Sequence, residues 1–238
     1  MFDWLPSMNK DDNEQIMHGV YCGVVTDNKD PSNLGRLKVK IPIIDDEMEF
    51  DWARMATPMG GASRGALFIP EVGDEVLIAF ELGDIRSPII IGSLWNETDK
   101  PPEGKNDKND IRKIKTRAGH EIIFNDSDND GKITIKTKAG HQLDFEDKSK
   151  AITLKTSDGS QKLVMDGTKG NIAITSGQTE VKITKTGDIT LQGNNAITIK
   201  GTQIKLESNA MLQLKANANV SIQATGILEL KGSMVKIN

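Results

Sequence analysis

The chain has little of what most enzymes are built from. It holds one cysteine, three histidines and one tyrosine in 238 residues, and aromatics make up 4%. With Cys22 alone, no disulfide forms within the chain, so assembly in a reducing cytoplasm is expected. So few histidines, and no serine in a strained elbow, leave no nucleophile–base–acid constellation. No stretch approaches the roughly 20 apolar residues of a membrane helix. The start, MFDWLPSMNKDDNEQ, has neither the basic flank nor the apolar run of a secretory signal. Release by lysis or within a larger machine is therefore expected. The formal net charge of -4 gives no global basic field for nucleic acid. The acid pairs Asp45-Asp46 and Glu47/Glu49 read as a solvated loop, and MGGASRG (59–65), lacking a P-loop Lys-Ser/Thr, reads as a flexible loop. No catalysis and no cofactor are expected.

What the chain does have is one short phrase, repeated. From residue 172 onward it reads NIAIT, EVKIT, DITLQ, AITIK, QIKLE, MLQLK, NVSIQ, ILELK and MVKIN. The first apolar position of each phrase recurs at spacings of 9, 8, 8, 7, 8, 8, 8 and 7 residues. Alternation at period two predicts strands with one greasy face. A fixed short period predicts a solenoid or fibre, because each unit buries its apolar face only against other copies. An eight-residue unit leaves room for a strand of about five residues and a bend. That is too short to close a coil alone, since single-chain solenoids need about twenty residues per coil. Three identical chains wound about one axis would cover both the apolar stripe and the strand edges. The expected trimer core is Ile172, Ile174, Val181, Ile183, Ile189, Leu191, Ile197, Ile199, Ile204, Leu206, Leu212, Leu214, Val220, Ile222, Leu228, Leu230, Val235 and Ile237. No aromatic follows Phe145, as a narrow axial core requires.

The rest divides by composition. Residues 1–17 read as an N-terminal arm that orders against a partner. Residues 18–96 alternate in short runs punctuated by Gly and Pro, which predicts a small closed barrel or sandwich. Residues 97–110 are rich in Pro, Gly and charge and read as a linker. Residues 111–171 are transitional: RAGHEIIF (117–124) and KAGHQLDF (138–145) are near copies, SDGSQKLVM (157–165) is a looser third, and the pairs read as hairpins. Residues 172–238 are the repeat. Residues 1–110 hold 11 Lys+Arg and 21 Asp+Glu, and residues 111–238 hold 19 and 13. An acidic head thus precedes a basic rod. Outward Lys on a strand-rich surface blocks edge pairing, and this is the reading preferred over an anionic target.

Two motifs suggest metal. Asp126, Asp128 and Asp130 alternate before Gly131 as in a calcium loop, but the twelfth position is Thr137 rather than a bidentate acid. A hairpin turn rich in Asp and Asn fits better. His120 and His141 follow identical Ala-Gly pairs and would form imidazole rings in a trimer. Facing outward, they are simply polar strand residues, and this reading is preferred.

The segments GVVTDNKDPSNLGRLKVKIP and WARMATPMGGASRGALFIPEVGDEVLIAFELGDIRSPIIIGSLWN resemble the OB-fold domain of phage baseplate assembly protein V and of VgrG-type spike proteins. The matching positions are Asp30, Pro31, Gly35, Arg36, Val39, Trp52, Arg54, Pro70, Gly73, Asp74, Val76, Pro88, Gly92 and Asn96. The resemblance implies an all-β protein: an N-terminal OB-fold barrel followed by a triple-stranded intertwined β-helix needle. It implies a homotrimeric central spike at the baseplate of a contractile phage tail, tailocin or injection particle, piercing the target envelope when the sheath contracts. The chain starts almost directly at the barrel, so a separate hub protein is implied above it. Residues 97–110 are too short for the lysozyme domain some relatives insert. Some phage spikes bind iron through a C-terminal His-x-His, yet nothing after His141 is histidine. A PAAR-type tip protein docking on Met234, Val235, Lys236, Ile237 and Asn238 is therefore expected. A carbohydrate-binding or depolymerising tail fibre is the alternative. It would need exposed aromatics, and the rod has none after Phe145. A single-strand nucleic-acid role would need basic and aromatic residues on a barrel that is acid-rich.

Overall fold

The computed structural model describes residues 16–104 and 107–237. The protein is all-β. Strands β1 (Val20–Asp27), β2 (Leu37–Ile41), β3 (Asp45–Met55), β4 (Gly60–Gly61), β5 (Arg64–Gly65), β6 (Glu75–Phe80) and β7 (Pro88–Ser93) form the head. Five of them close into a barrel in the order β1-β2-β3-β7-β6, the OB arrangement. The period-two pattern decides which side chains enter it. Leu37, Val39 and Ile41 are fully buried while Lys38 and Lys40 between them face out, and Val76, Ile78 and Phe80 repeat the pattern on β6. Val25, Phe50, Ala53 and Ile90 complete the core. Each large side chain so buried contributes about 1.5–3 kcal/mol. Closure depends on Gly23, where a Cβ would sit 2.5 Å from Ile78 Cδ1 and 2.7 Å from the carbonyl oxygen of Lys40. Met17 is buried against the barrel and donates its N–H to the Gly83 carbonyl. The rest of the expected N-terminal arm, residues 1–15, lies outside the described residues.

Two segments differ from the sequence reading. Asp45–Glu49 is strand rather than loop. These residues extend β3 beyond the barrel wall and pair with the end of β2 (Lys40↔Glu49, Ile41↔Asp45), where Lys38 Nζ reaches Glu49 Oε2 at 3.0 Å. Residues 59–65 form the β4–β5 hairpin (Gly60↔Gly65, Gly61↔Arg64) instead of a formless loop. Ser63 adopts φ 55° and Gly65 φ 155°, which turns the chain tightly. At Gly65 a Cβ would lie 2.5 Å from the Met59 carbonyl oxygen, so only glycine fits.

The segment read as a linker is tied at both ends. Asn96 Nδ2 donates to Glu75 Oε2, and its Oδ1 accepts from the N–H groups of Thr98 and Asp99. Farther on, Lys113 Nζ meets Glu103 Oε2 at 2.6 Å.

The rod then begins. Strands β8 (Ile111–Lys115), β9 (Glu121–Asn125), β10 (Lys132–Lys136), β11 (Gln142–Glu146), β12 (Ala151–Lys155), β13 (Gln161–Asp166), β14 (Asn171–Ser176), β15 (Thr179–Thr184) and β16 (Ile189–Gln192) pair in sequence order as one antiparallel meander. The near copies in the sequence are its repeated strand–turn units. In the turns at Thr116, Thr137, Thr156 and Thr184 the Thr hydroxyl oxygen accepts the N–H four or five residues on. In each, a glycine with φ between 70° and 96° completes the reversal.

Beyond β16 the eight-residue phrases behave differently. Among the described residues from 193 to 237 there is no strand and no strand pairing within the chain. The phrases centred on Ile197, Ile204, Leu212, Val220, Leu228 and Val235 were expected as strands, but an isolated chain supplies no neighbour for their backbone groups.

Candidate functional site: an apolar assembly face

Strand register sorts the rod's side chains onto two faces. Direct cross-strand partners link Phe124, Ile133, Phe145, Ile152, Met165, Ile172, Ile183 and Ile189 into one column. A second column runs Ile114, Ile122, Ile135, Leu143, Leu154, Leu163, Ile174, Val181 and Leu191. Because successive side chains alternate across a sheet, both columns lie on the same face. Among the described residues nothing covers that face: Phe124, Phe145 and Ile172 stay 37–39% exposed and Leu154 53%. A contiguous apolar surface of this length marks an interaction site, since soluble monomers rarely expose one.

Of the residues expected at the core, those up to β16 lie on this exposed face. Ile172, Ile174, Val181, Ile183, Ile189 and Leu191 stand in the two columns. From Ile197 to Ile237 the expected core residues are more than half exposed, with Leu206 at 68% and Ile237 at 88%. At the expected docking end Met234, Val235 and Ile237 are exposed, Lys236 with them, and Asn238 lies outside the described residues. The structure also adds what the sequence reading missed: the face starts at β8, well above residue 172. The signal was present in KITIK, QLDF and AITLK, which carry the same apolar–polar–apolar phrase.

The opposite face is polar, and its centre is a buried carboxylate. Asp144, 2% exposed, accepts from Thr134 Oγ1 at 2.7 Å and from Gln142 Nε2, with Lys132 Nζ at 3.1 Å. Burial pushes its pKa up, but these hydrogen bonds and the lysine outweigh that and hold it below the usual carboxylate value. Lys132 also pairs with Glu146 at 2.9 Å. The network joins β10 and β11 on the solvent side, and each of its members has a partner.

The metal candidates do not converge. Asp126, Asp128 and Asp130 are exposed in the β9–β10 turn. Asp126 is engaged by Arg112, and the Asp130 carbonyl accepts from Asn125 Nδ2. This is the hairpin-turn geometry that the sequence favoured. A hollow of about 770 Å³ opens between this turn and Asp147–Lys148 of the next. No grouping of three or more His, Cys, Asp or Glu suited to a metal occurs among the described residues. His120 and His141 are exposed in successive turns on one sheet edge. His120 Nδ1 accepts the N–H of Lys138 at 3.3 Å, which stacks the first of these turns on the second.

In the barrel, the D-P-x-x-x-G-R segment closes on itself. Both oxygens of Asp30 take the Arg36 guanidinium, Nη2 at 2.8 Å and Nε at 2.9 Å, and the backbone N–H groups of Ser32, Leu34 and Arg36 point at the same carboxylate. The Arg36 guanidinium, with these N–H groups, holds Asp30 far below the usual carboxylate range. Together these contacts fix the long β1–β2 connection.

Comparison with known proteins bears on this barrel. Residues 21–95 match the family model of the Type VI secretion system/phage-baseplate injector OB domain. The chain is 33% identical over 87 residues to the Type VI secretion system spike protein VgrG2a of Pseudomonas aeruginosa, which covers 35% of this chain and 10% of that protein. It is 36% identical over 74 residues to the spike protein VgrG3 of Vibrio cholerae, 29% of this chain and 7% of that protein. The protein named actin cross-linking toxin VgrG1 of Vibrio cholerae is 33% identical over 72 residues, again 7% of its length. The chain thus spans a tenth or less of these curated relatives. Over its barrel, the chain is similar to the injector OB domain and to the matching part of VgrG spike proteins.

Proposed function

We propose that this chain is the central spike of a contractile tail or injection apparatus, a homotrimer whose rod pierces the target envelope when the sheath contracts. The observation that carries the reading is the continuous apolar face on β8–β16, followed by repeat phrases with no strand partner in their own chain. Both lie directly beneath an injector OB barrel. Two copies packed face to face would cover the upper face as a sandwich. They would still leave the short phrases below β16 with open edges. Three chains about one axis cover the face and let each phrase pair with its neighbour, so that no backbone donor stays unpaired. In this reading the chain is structural. A hub protein sits above the barrels, and a PAAR-type tip protein seats on the exposed Met234, Val235 and Ile237. The 97–110 segment, tied by Asn96 and Glu103, passes load from barrel to rod.

The purified protein should have a mass in solution about three times 26.0 kDa. It should also run as that species in SDS without boiling, since a strand-interlocked assembly opens slowly. A stable monomer at micromolar concentration would reject the proposal.

A further inference from the structure

Between β3 and β6 the chain leaves the barrel as a projecting arm. Residues 56–65 are all exposed, and the arm's only regular structure is the small β4–β5 hairpin. Its base is fixed: Ala56 donates its N–H to the Ile90 carbonyl, Thr57 Oγ1 reaches the Ala66 carbonyl at 2.6 Å, and Pro70 is buried. Yet the arm carries large apolar side chains into solvent, Met59 at 56%, Leu67 at 79% and Phe68 at 61% exposed. A two-stranded hairpin is marginal by itself, so such an arm is ordered by what it packs against. A tight glycine-locked turn is a costly way to present Leu and Phe to water.

The surroundings indicate what covers it. The one charge on residues 56–68 is Arg64. At the other end of β3 the surface is acidic and also exposes an apolar group: Asp45, Asp46 and Glu47 follow Ile43, which is 83% exposed. Arm and wall are complementary in charge and in apolar character, yet they belong to the same chain. The arm's C-terminal end also continues towards the rod, where Glu71 Oε1 receives Arg117 Nη1 from the first rod turn at 2.8 Å. The chain just past the arm therefore touches the top of the rod.

We propose that the 56–68 arm docks on the acidic barrel wall of a second copy of this chain, Leu67 and Phe68 supplying the apolar contact and Arg64 the ionic one. An arm-to-wall contact joins two different surfaces, so it closes as a ring around a rotation axis. The inference rests on the trimeric reading above. It adds that the heads, as well as the rods, are joined, and that a basic arm sets their rotational order.

Hydrogen exchange on the full-length protein tests this alone, with no hub or tip protein present. In the assembled protein the amides of 57–68 should exchange about tenfold or more slower than an exposed hairpin allows. In Leu67→Asp/Phe68→Asp that protection should vanish while the trimeric mass persists, because the rod face is untouched. Arg64→Glu should weaken the same protection, and more so at low salt. Fast exchange of the arm in a wild-type trimer overturns the proposal and leaves the trimeric reading standing. So does protection that survives the double substitution, since the arm would then be packing on its own chain. A monomeric wild type overturns both.

Discussion

At the scale of single residues, Asp30 shows how a carboxylate organises a loop and makes it pH-sensitive. Its folded pKa is depressed, so the stability from its contacts is complete above the unfolded carboxylate value of about 3.9. It is lost as pH falls through the folded value. Asp30→Asn should therefore lower the melting temperature at pH 7, because its amide N–H₂ would face the Arg36 guanidinium donor to donor. The difference from wild type should shrink steadily below about pH 4. Thermal melts of the two proteins between pH 7 and pH 2 would check this; a constant gap across that range would remove Asp30 from the account. The D-P-x-x-x-G-R string was visible in the sequence as a shared pattern, before its acid and arginine were seen to meet. The setting of Asp144 was not. Nothing in QLDF distinguishes a buried carboxylate from an exposed one: Gln142 lies within it, but Thr134 and Lys132 reach Asp144 only through register with the neighbouring strand.

At the scale of elements, period two was the reliable signal, and it was read too narrowly. The eight-residue spacing after residue 172 drew the boundary of the apolar core. The phrases above it have longer turns, so their spacing is irregular although their faces are the same. Register, which sequence does not display, joins Phe124 to Ile133 and Phe145 to Ile152 and so extends the two columns to the head. The exposed face gives a paired prediction. Ile135→Asp places a charge in the second column, between Ile122 and Leu143, and should abolish assembly. Burial of an unpaired carboxylate costs several kcal/mol per copy, and in the proposed trimer that cost would arise three times. Thr190→Asp changes the opposite face at an exposed position paired with Lys182, and should leave the oligomer intact with a loss of about 1 kcal/mol or less. Mass by light scattering at equal concentration separates the two. If both variants assemble alike, the apolar columns are not the interface. Turns were legible in part: DSDNDG marked the β9–β10 reversal, whereas GGASRG hid a hairpin because its strands are only two residues long.

At the scale of the whole molecule, the rod is two constructions in series. Above Gln192 each chain pairs its own strands, and copies would meet only through side chains on one face. Below Gln192 the described residues form no strand pairing within the chain, so pairing there would be between copies. Side-chain size follows the same division. Phe124, Phe145 and Met165 stand in the upper columns, and the core positions expected below are all Ile, Val and Leu. The two regimes differ in what they demand of folding. The meander has local contacts and forms fast within one chain, while strands interleaved between copies, as proposed, would have to wait until the copies are aligned. The upper rod would then act as the clamp that sets register for the lower. Ending the chain at Gln192 should therefore leave a folded protein of trimeric mass, since both apolar columns remain whole. Its resistance to SDS and to heat should fall sharply, because the interlocked segment that must be unthreaded is gone. Mass and gel mobility measured on the same preparation would decide it. A monomeric truncated chain would place the drive for assembly below residue 192, and undiminished SDS resistance would show that the lower phrases do not interlock.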